Sequence, residues 1–239
     1  MARKLLYQGK AKSLYTSSRP KHCVMHFRDD ATAFDGAKHA LLARKGMINN
    51  HFNAFIMRYL AKAGIQTHFA RISGERESLV KQLEMIPVEC VVRNIATGSL
   101  CRRLGIEEGK KLEPPIFEFF YKSDLLHDPM INEWHITTLG WASLDEARQM
   151  RELTLKVNEI LIPLFKKVGL LLVDYKLEFG RYQGSLVLGD EFTPDGARIW
   201  DSQTNERLDK DRFRKDLGCV IESYEVVAAR LRIPLWYEE

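Results

Sequence analysis

The sequence lacks the features of a membrane or secreted protein. None of its apolar runs approaches the roughly 20 residues that a transmembrane helix needs. No long apolar stretch follows the N-terminal segment Met1–Lys4, as it would in a secretory signal peptide. We therefore expect a cytoplasmic protein that has no membrane partner.

The sequence also lacks CxxC motifs and a strong net charge. The four cysteines, Cys23, Cys90, Cys101 and Cys219, form no CxxC pair, and we expect them to be buried, reduced thiols. The formal net charge is only +4, and basic residues alternate with acidic ones, as in Asp209–Arg212. Because the sequence has neither a basic stripe nor an aromatic RNA-binding motif, we expect no nucleic-acid partner.

What is present predicts a folded protein of mixed secondary structure. Short alternating runs at Leu5–Tyr7, Ala11–Tyr15 and Cys23–Phe27 predict a small antiparallel sheet. The segment Gly46–Gly64 predicts a helix, because its apolar residues recur at helical spacing and Gly64 suits the residue after a helix end.

The second half of the chain favours longer helices. Ser143–Glu146 has the pattern of a capping box and should open a long helix, in which Pro163 should cause a kink or a break. Arg212–Leu231 is interpreted as a final amphipathic helix, because its apolar residues keep helical register.

Between these regions, Glu84–Pro87 is interpreted as a crossing between two lobes, since proline cannot donate to a strand ladder and disfavours helix before it. We predict a two-lobed α+β protein of antiparallel sheets with flanking helices. The N-terminal lobe would span residues 1–84 and the C-terminal lobe residues 85–239, with the functional site in the cleft between them.

The most informative segment is an alternating strand followed by a second strand. Asp174, Lys176 and Glu178 lie on one face of the first strand, and a hairpin centred near Gly184 would place Asp190 opposite Glu178. Two carboxylates that close repel each other unless they share a proton or a hard cation such as Mg²⁺. The alternative is a solvated strand face with ordinary alternating charges.

A second segment has the features of a phosphate site. A strand ends at Arg93, and Ser99 is a suitable N-cap for a helix over Leu100–Leu104 that Gly105 would close. A helix N-terminus and a guanidinium together suit a phosphate monoester. The alternative makes Ser99 only a cap and Arg93 a surface ion pair.

Two further loops are less specific. Tyr7–Lys12 places a glycine and two lysines in a hairpin that could cover nucleotide phosphates, although it is no Walker A loop and could be a basic β-turn. Asp29–Gly36 is polar and rich in turn-forming residues, and it could be a cluster of Asx turns.

Taken together, Ile86–Ser99 and Leu172–Gly180 resemble the two signature stretches of the phosphoribosylaminoimidazole-succinocarboxamide synthase (SAICAR synthetase) family. The resemblance covers nearly the whole chain and extends to Gly9–Lys12, Arg44–Met47, Lys122–Pro129 and Leu188–Gly196. One departure is Thr32–Asp35, which reads Thr-Ala-Phe-Asp where the family usually has Ser-Ala-Phe-Asp. The change keeps the hydroxyl group.

The resemblance implies a fold and a reaction. The fold would have two lobes related to the ATP-grasp and protein-kinase architectures, with ATP between them. The enzyme would join L-aspartate to 5-amino-1-(5-phospho-D-ribosyl)imidazole-4-carboxylate (CAIR), giving SAICAR, ADP and phosphate through an acyl phosphate, in de novo purine synthesis. We expect Mg²⁺ as cofactor and a homo-oligomer, specifically a dimer. The alternative function is a small-molecule kinase of related two-lobed fold.

The resemblance also implies roles for individual residues. The residues expected to bind ATP are Lys10, Ala11, Lys12, Lys81, Met85, Glu178 and Asp190. Of these, Glu178 and Asp190 would also hold Mg²⁺. Those expected to bind the ribonucleotide are Arg93, Ser99, Asp174, Lys176 and Arg198. The catalytic candidates are Lys176, Asp174, Asp128 and Asp35, and the last two would serve the aspartate and carboxylate end.

Overall fold

A computed structural model describes residues 3–34 and 36–236 of the chain. The strands are β1 (Leu5–Gln8), β2 (Lys12–Thr16), β3 (His22–Phe27), β4 (Asp30–Ala33), β5 (Lys38–Leu41), β6 (Phe69–Gly74), β7 (Glu77–Lys81), β8 (Glu84–Ile95), β9 (Lys111–Tyr121), β10 (Met130–Ile131), β11 (Leu170–Tyr182), β12 (Ser185–Gly189) and β13 (Ala197–Asp201). The helices are α1 (Lys45–Lys62), α2 (Ser99–Leu104), α3 (Glu133–Thr138), α4 (Leu144–Lys166), α5 (Asp211–Arg214) and α6 (Val220–Arg230). Within the ranges so described, no helix has the length and apolar character needed to cross a bilayer.

The N-terminal part of the chain forms a five-stranded antiparallel sheet, as predicted. Its strand order is β1-β2-β3-β7-β6, and α1 packs against β3, β6 and β7. Helix α1 confirms the predicted helix, with Ile48, Phe52, Ile56 and Leu60 fully buried. Strands β4 and β5 form a separate two-stranded sheet.

The second sheet has six strands and contains the long strand β11 at its centre. The order β10-β9-β8-β11-β12 describes five of them, and β13 also pairs with β11. One face of β11 buries Tyr175, Leu177 and Phe179 against α4, whose Thr154 carbonyl oxygen accepts a 2.8 Å hydrogen bond from the Tyr175 hydroxyl. This packing leaves the opposite face of β11 to carry polar side chains, because successive residues of a strand point to opposite faces.

Several elements were absent from the sequence-based prediction or misplaced by it. The strand β9 was not expected because it contains Pro114 and Pro115, which are unfavourable in strands. The segment Glu84–Pro87 is the start of β8, so the chain passes between the two sheets at Gln82 and Leu83. Helix α4 runs through Pro163 and ends three residues later.

The final helix was predicted as one element and is two. Asp216, Gly218 and Cys219 have φ angles of 55°, 68° and 48°, so the backbone cannot continue as a right-handed helix between α5 and α6. Cys219 is exposed in this break, which makes the expectation of four buried thiols wrong for that residue. All four cysteines are free, and Cys23 and Cys90 are buried.

The predicted capping box at the start of α4 is confirmed. The Ser143 hydroxyl accepts a hydrogen bond from the backbone N–H of Glu146 at 3.1 Å, and the Glu146 carboxylate accepts one from the backbone N–H of Ser143 at 2.8 Å. Arg181 at the end of β11 donates to both oxygens of Glu146, at 2.5 and 2.9 Å. The same carboxylate thus fixes the start of α4 and joins it to β11.

We expect Glu146→Gln to lower the free energy of unfolding by about 2 kcal/mol near neutral pH, because the charged pair with Arg181 is lost. The hydrogen bonds from Arg181 hold the pKa of Glu146 at about 2, below its ordinary value of 4.5, although burial opposes the shift. This stabilisation is therefore complete above the ordinary pKa and is lost as the pH falls through about 2. Urea unfolding at a series of pH values should show the two proteins converging in acid.

The matched control is Asp145→Asn in the same helical turn. Asp145 is 83% exposed, and its carboxylate lies 3.7 Å from Arg148. An exposed pair of this kind contributes little, so the change should cost less than about 0.5 kcal/mol. An equal loss in both variants would contradict the role given to Glu146.

Candidate active site

A cleft of about 470 Å³ lies between the loop that joins β1 to β2 and the polar face of β11. Strand β4 and the loop after it form another of its walls through Thr32, Phe34 and Gly36. Of the residues that the sequence predicts for the site, those lining this cleft are Lys10, Ala11, Lys12, Asp128, Lys176, Glu178 and Asp190. The structure therefore brings together residues from four separate parts of the chain.

The floor of the cleft is the polar face of β11 with the adjacent strand β8. Glu178 is 3% exposed, and Lys122 donates to both of its carboxylate oxygens at 2.6 and 2.5 Å. Lys176, two residues earlier on the same face, donates to Glu89 of β8. Buried charges in pairs are the opposite of a solvated strand face, so that alternative is wrong.

Asp190 does not lie opposite Glu178 in the hairpin, and this part of the prediction is wrong. The turn is at Gln183 and Gly184, so Glu178 pairs with Gly189 and Asp190 follows the end of β12. Asp190 has a φ of 51°, which turns the chain out of the strand direction. Its carboxylate accepts from Lys12, whose ammonium also lies 2.7 Å from Glu191.

The two carboxylates still act on each other electrostatically. Burial raises the pKa of Glu178 to about 7, and the negative charge of Asp190 adds to the rise. Burial would also raise the pKa of Asp190, but Lys12 and Lys122 outweigh it and lower that pKa. Carboxylates near the cleft raise the pKa values of Lys12 and Lys176 against the effect of burial. The lysines and carboxylates of the cleft therefore stabilise one another's charged forms.

This donor set fits a magnesium ion that is shared with phosphate groups. Among residues 3–34 and 36–236, no group of three or more His, Cys, Asp or Glu side chains is arranged to hold a metal by itself. Mg²⁺ commonly binds proteins through only one or two carboxylates and completes its shell with water and phosphate oxygens. Glu178 and Asp190 supply the two carboxylates, and the raised pKa of Glu178 marks the place where a further positive charge would be stabilising.

A second cluster lies at the other end of the polar face of β11. Arg93 is 4% exposed and donates to Glu118 at 2.7 Å, to Asp174 at 3.3 Å and to the Ser99 hydroxyl at 3.1 Å. Arg198 of β13 donates to the same oxygen of Asp174 at 2.7 Å. The ion pairs of Arg93 are thus not at the surface, and the structure brings together four of the five residues predicted to bind the ribonucleotide, Arg93, Ser99, Asp174 and Arg198.

The start of α2 differs from the prediction, because Gly98 and not Ser99 is its N-cap. Gly98 has a φ of 61°, and a Cβ placed there would lie 2.8 Å from a terminal guanidinium nitrogen of Arg198. Only glycine therefore allows this close approach. Gly105 ends the helix in the left-handed conformation, as predicted.

Two predicted residues that the structure describes, Lys81 and Met85, stand apart from the two clusters. Lys81 donates to the Thr67 carbonyl oxygen at 2.9 Å and lies over the ring of Tyr182. Met85 is partly exposed and approaches Gly189, where an added Cβ would lie 3.2 Å from its sulfur. Met85 is therefore next to the residue that precedes Asp190. The predicted site residue Asp35 lies outside the residues that the structure describes.

Residues that the prediction did not select complete the cleft. Lys122 lies in a segment that carries the family resemblance, and Glu89 interrupts an apolar strand, so both had a signal in the sequence. Lys45, at the start of α1, and Asp195 also lie in segments that carry the resemblance, but no local pattern signals that they pair, because they meet only in the fold. Their side chains form an ion pair of 2.6 Å, and both are almost completely buried.

Asp195 is held from three sides. Besides Lys45, the side-chain amide of Asn49 donates to it at 3.1 Å and the hydroxyl of Tyr224 donates at 2.7 Å. Burial would raise the pKa of Asp195, but Lys45 and the nearby Lys210 lower it. The pair therefore fixes the turn before β13 at the edge of the cleft.

We expect Lys45→Met to lower the free energy of unfolding by about 3–5 kcal/mol, because Asp195 would keep a buried charge without its partner. The neighbouring variant Arg44→Gln removes a positive charge from a largely exposed pair with Glu225 and should cost less than about 1 kcal/mol. Chemical unfolding of both variants measures the difference. Similar small losses would show that Lys45 does not stabilise the turn.

Known proteins resemble this chain over nearly its whole length. The family model for SAICAR synthetase matches residues 5–231. The phosphoribosylaminoimidazole-succinocarboxamide synthase of Nitrosococcus oceani is 62% identical and covers 96% of this chain and 97% of its own, and that of Marinobacter nauticus is 61% identical over 97% and 98%.

Solved structures agree with this similarity. The phosphoribosylaminoimidazole-succinocarboxamide synthase of Ehrlichia chaffeensis superposes with a TM-score of 0.95 at 44% identity, covering 97% of this chain and 99% of that one. A SAICAR synthetase in complex with ADP superposes with a TM-score of 0.92 at 46% identity, covering 95% and 97%. The likeness in sequence and fold, together with the matching family model, shows that the chain belongs to the SAICAR synthetase family.

Proposed function

We propose that the cleft carries out the ATP-dependent ligation of L-aspartate to CAIR, which yields SAICAR, ADP and phosphate in de novo purine synthesis. The observation that carries this proposal is the set of lysine–carboxylate ion pairs around the buried Glu178 and the partly buried Asp190, in a chain of this family. One relative has been solved with ADP, and we infer that ATP occupies the corresponding cleft here.

The positive side chains of the cleft suit the phosphates of ATP. Lys10 and Ala11 lie in the loop before β2 and Lys12 begins that strand, and the three residues line the cleft above β11. Lys12 already contacts Asp190 and Glu191, so its ammonium is held in place before any ligand binds. We infer that this loop covers the nucleotide phosphates, while Lys81 and Met85 lie towards the base.

Glu178 and Asp190 would hold Mg²⁺ together with those phosphates. When bound, the ion supplies positive charge that stabilises phosphoryl transfer. The chain itself contributes fixed positions for its lysines, and fixed charges need little rearrangement during the reaction. Lys122 keeps the Glu178 carboxylate in one orientation through two hydrogen bonds.

The acceptor nucleotide would span from the second cluster to the floor of the cleft. Arg93, Ser99 and Arg198 suit its phosphate group, because guanidinium groups bind phosphate through paired hydrogen bonds. Asp174 accepts hydrogen bonds from both arginines through one oxygen and so fixes their relative position. Lys176, two residues along β11 from Asp174, would then face the imidazole carboxylate.

The chemistry needs activation of that carboxylate, since a carboxylate is a poor electrophile. Transfer of the γ-phosphoryl group of ATP to a carboxylate oxygen forms an acyl phosphate and releases ADP. The amine of L-aspartate then attacks the carbonyl carbon, the bond to the phosphate oxygen breaks, and the nitrogen gives up a proton. Asp128, which lines the cleft, and Asp35 remain our candidates for the end of the site that handles L-aspartate.

We also propose a division into lobes, an oligomeric state and a cellular location for the enzyme. We keep a division into lobes of residues 1–84 and 85–239, which coincides with the passage of the chain from the first sheet to the second. A homodimer in the cytoplasm, where ATP and L-aspartate are available, is the proposed form. A relation of the fold to ATP-grasp enzymes and protein kinases stays a prediction.

An assay that omits each substrate in turn tests the ligase against the small-molecule kinase. The ligase requires ATP, CAIR and L-aspartate together for steady release of ADP. Release that continues at the same rate without L-aspartate would favour the kinase. The names of relatives that are 61–62% identical support the ligase.

Removing either proposed metal carboxylate should abolish most of the activity. We expect Glu178→Gln and Asp190→Asn each to lower turnover by about 100-fold or more, because charge stabilisation at the transferred phosphoryl group is lost. The control Glu84→Gln removes a well-exposed carboxylate from the neighbouring strand β8 and should keep its activity. Circular dichroism checks the folds, and near-normal turnover in folded Glu178→Gln and Asp190→Asn would contradict the assignment.

A substitution in the second cluster should change the KM for CAIR more than the KM for ATP. We expect Arg93→Lys to raise the KM for CAIR by about tenfold or more, because lysine keeps the charge and loses the planar fork. The KM for ATP should stay close to that of the wild type. Arg103→Lys is the matched control, since Arg103 also pairs with Glu118 but stands outside the proposed site. A larger change for ATP would show that the two ends of the site are assigned in reverse.

A further inference from the structure

One lysine in the cleft differs from the others in its surroundings. Lys12, Lys122 and Lys176 each form an ion pair with a buried carboxylate of the cleft. Lys210 also lines the cleft, directly before α5, yet it forms no ion pair within the described parts of the chain.

The charges around Lys210 leave its ammonium only partly compensated. Burial lowers the pKa of Lys210, the charges of Asp195 and Glu191 oppose this effect, and the positive charges of Arg214 and Lys45 lower the pKa further. Asp195 is already engaged by Lys45 at 2.6 Å and by Tyr224 at 2.7 Å. In contrast, the pKa values of Lys12, Lys122 and Lys176 are raised. An anion bound beside Lys210 would supply the compensation that the fold does not.

Arg214 makes this a site with two positive groups. It lies four residues after Lys210, lines the same cleft, and donates to Asp211 at 2.7 Å through one nitrogen. A guanidinium has five N–H donors, so this contact leaves others for a ligand. Asp211 also accepts from Arg198 at 2.9 Å, which holds α5 in a fixed relation to the second cluster.

Lys210 and Arg214 lie close to Lys176, which faces the reacting carboxylate of the proposed acceptor. Gly196 lines the cleft next to Asp195, and a Cβ placed on it would lie 3.8 Å from Cγ of Lys176. The backbone of α5 is tied to the same turn, because the N–H of Lys210 donates to the carbonyl oxygen of Pro194 at 3.1 Å. A small molecule held by Lys210 and Arg214 would therefore lie beside the carboxylate that Lys176 faces.

We propose that Lys210 and Arg214 bind the carboxylates of L-aspartate, an inference that rests on the function proposed above. L-Aspartate carries two carboxylates, and the site offers two adjacent cations that neither ATP nor the ribonucleotide phosphate occupies in our assignment. Asp128, by its charge, suits the ammonium group and not the carboxylates. Lys210 and Arg214 thus add, to the acidic candidates named above, the positive groups that the carboxylates of L-aspartate need.

The test compares Lys210→Gln with Lys215→Gln, a change of the same charge one residue after α5. Lys215 lies outside the cleft lining, is 43% exposed and contacts Glu108 at 3.5 Å. We expect Lys210→Gln to raise the KM for L-aspartate by about tenfold or more, with much smaller changes in the KM for ATP and for CAIR. Lys215→Gln should match the wild type. Arg214→Lys, which keeps the charge, should raise the same KM by a smaller factor.

A second readout separates binding of L-aspartate from the earlier phosphorylation step. Hydroxylamine is an uncharged nucleophile that reacts with acyl phosphates and has no carboxylate to bind. In Lys210→Gln, the ratio of aspartate-dependent to hydroxylamine-dependent release of ADP should fall by about tenfold. An unchanged ratio, or equal rises in the KM values for all three substrates, would overturn the inference. A wild-type enzyme that releases ADP without needing L-aspartate would instead overturn the proposed function.

Discussion

The pairing of lysines with buried or partly buried carboxylates along the floor of the cleft is the constraint on which the rest of the structure depends. Taking a charge out of water costs several kcal/mol unless a partner and further hydrogen bonds compensate it. Lys12, Lys122 and Lys176 each meet a carboxylate from a different part of the chain. The strands and loops that carry these residues must therefore assemble together, and the result is a cleft whose charges are fixed before a ligand arrives.

Strand β11 is the element that arranges the two ends of the site. Its apolar face packs on α4, and its polar face carries Asp174 at one end and Glu178 at the other. Four residues of strand span about 13 Å, which is a suitable separation for the phosphate of a nucleotide and the site of its activation. Because both groups stand on one strand in the middle of a sheet, their relative position does not depend on a flexible connection.

The structure also explains which parts of the site a single sequence could reveal. The alternation in β11 predicted the shared face of Lys176 and Glu178, because the period of a strand is local information. The register of the hairpin was wrong by one residue, since the turn is centred between Gln183 and Gly184 and not on Gly184. Contacts such as Lys45 with Asp195 could not be predicted, because they join residues 150 positions apart that share no local pattern.

The capping box of α4 and the helix α1 were predicted for the same reason as the face of β11, since their signals lie within a few neighbouring residues. Strand β9 was missed because its two prolines argue against a strand, although its pairing with β8 and β10 outweighs that preference. The glycine at position 98 shows a further limit. Its role depends on Arg198, which approaches it from a strand a hundred residues away.

In the proposed reaction, these fixed charges promote transfer of a phosphoryl group to a carboxylate oxygen. The most direct test uses CAIR that is labelled with ¹⁸O in its carboxylate, with ATP and L-aspartate unlabelled. We expect each phosphate released to carry one ¹⁸O atom from that carboxylate, which ³¹P nuclear magnetic resonance detects as an isotope shift. Phosphate free of the label, with SAICAR formed at the normal rate, would contradict the acyl phosphate and with it the function assigned to the cleft.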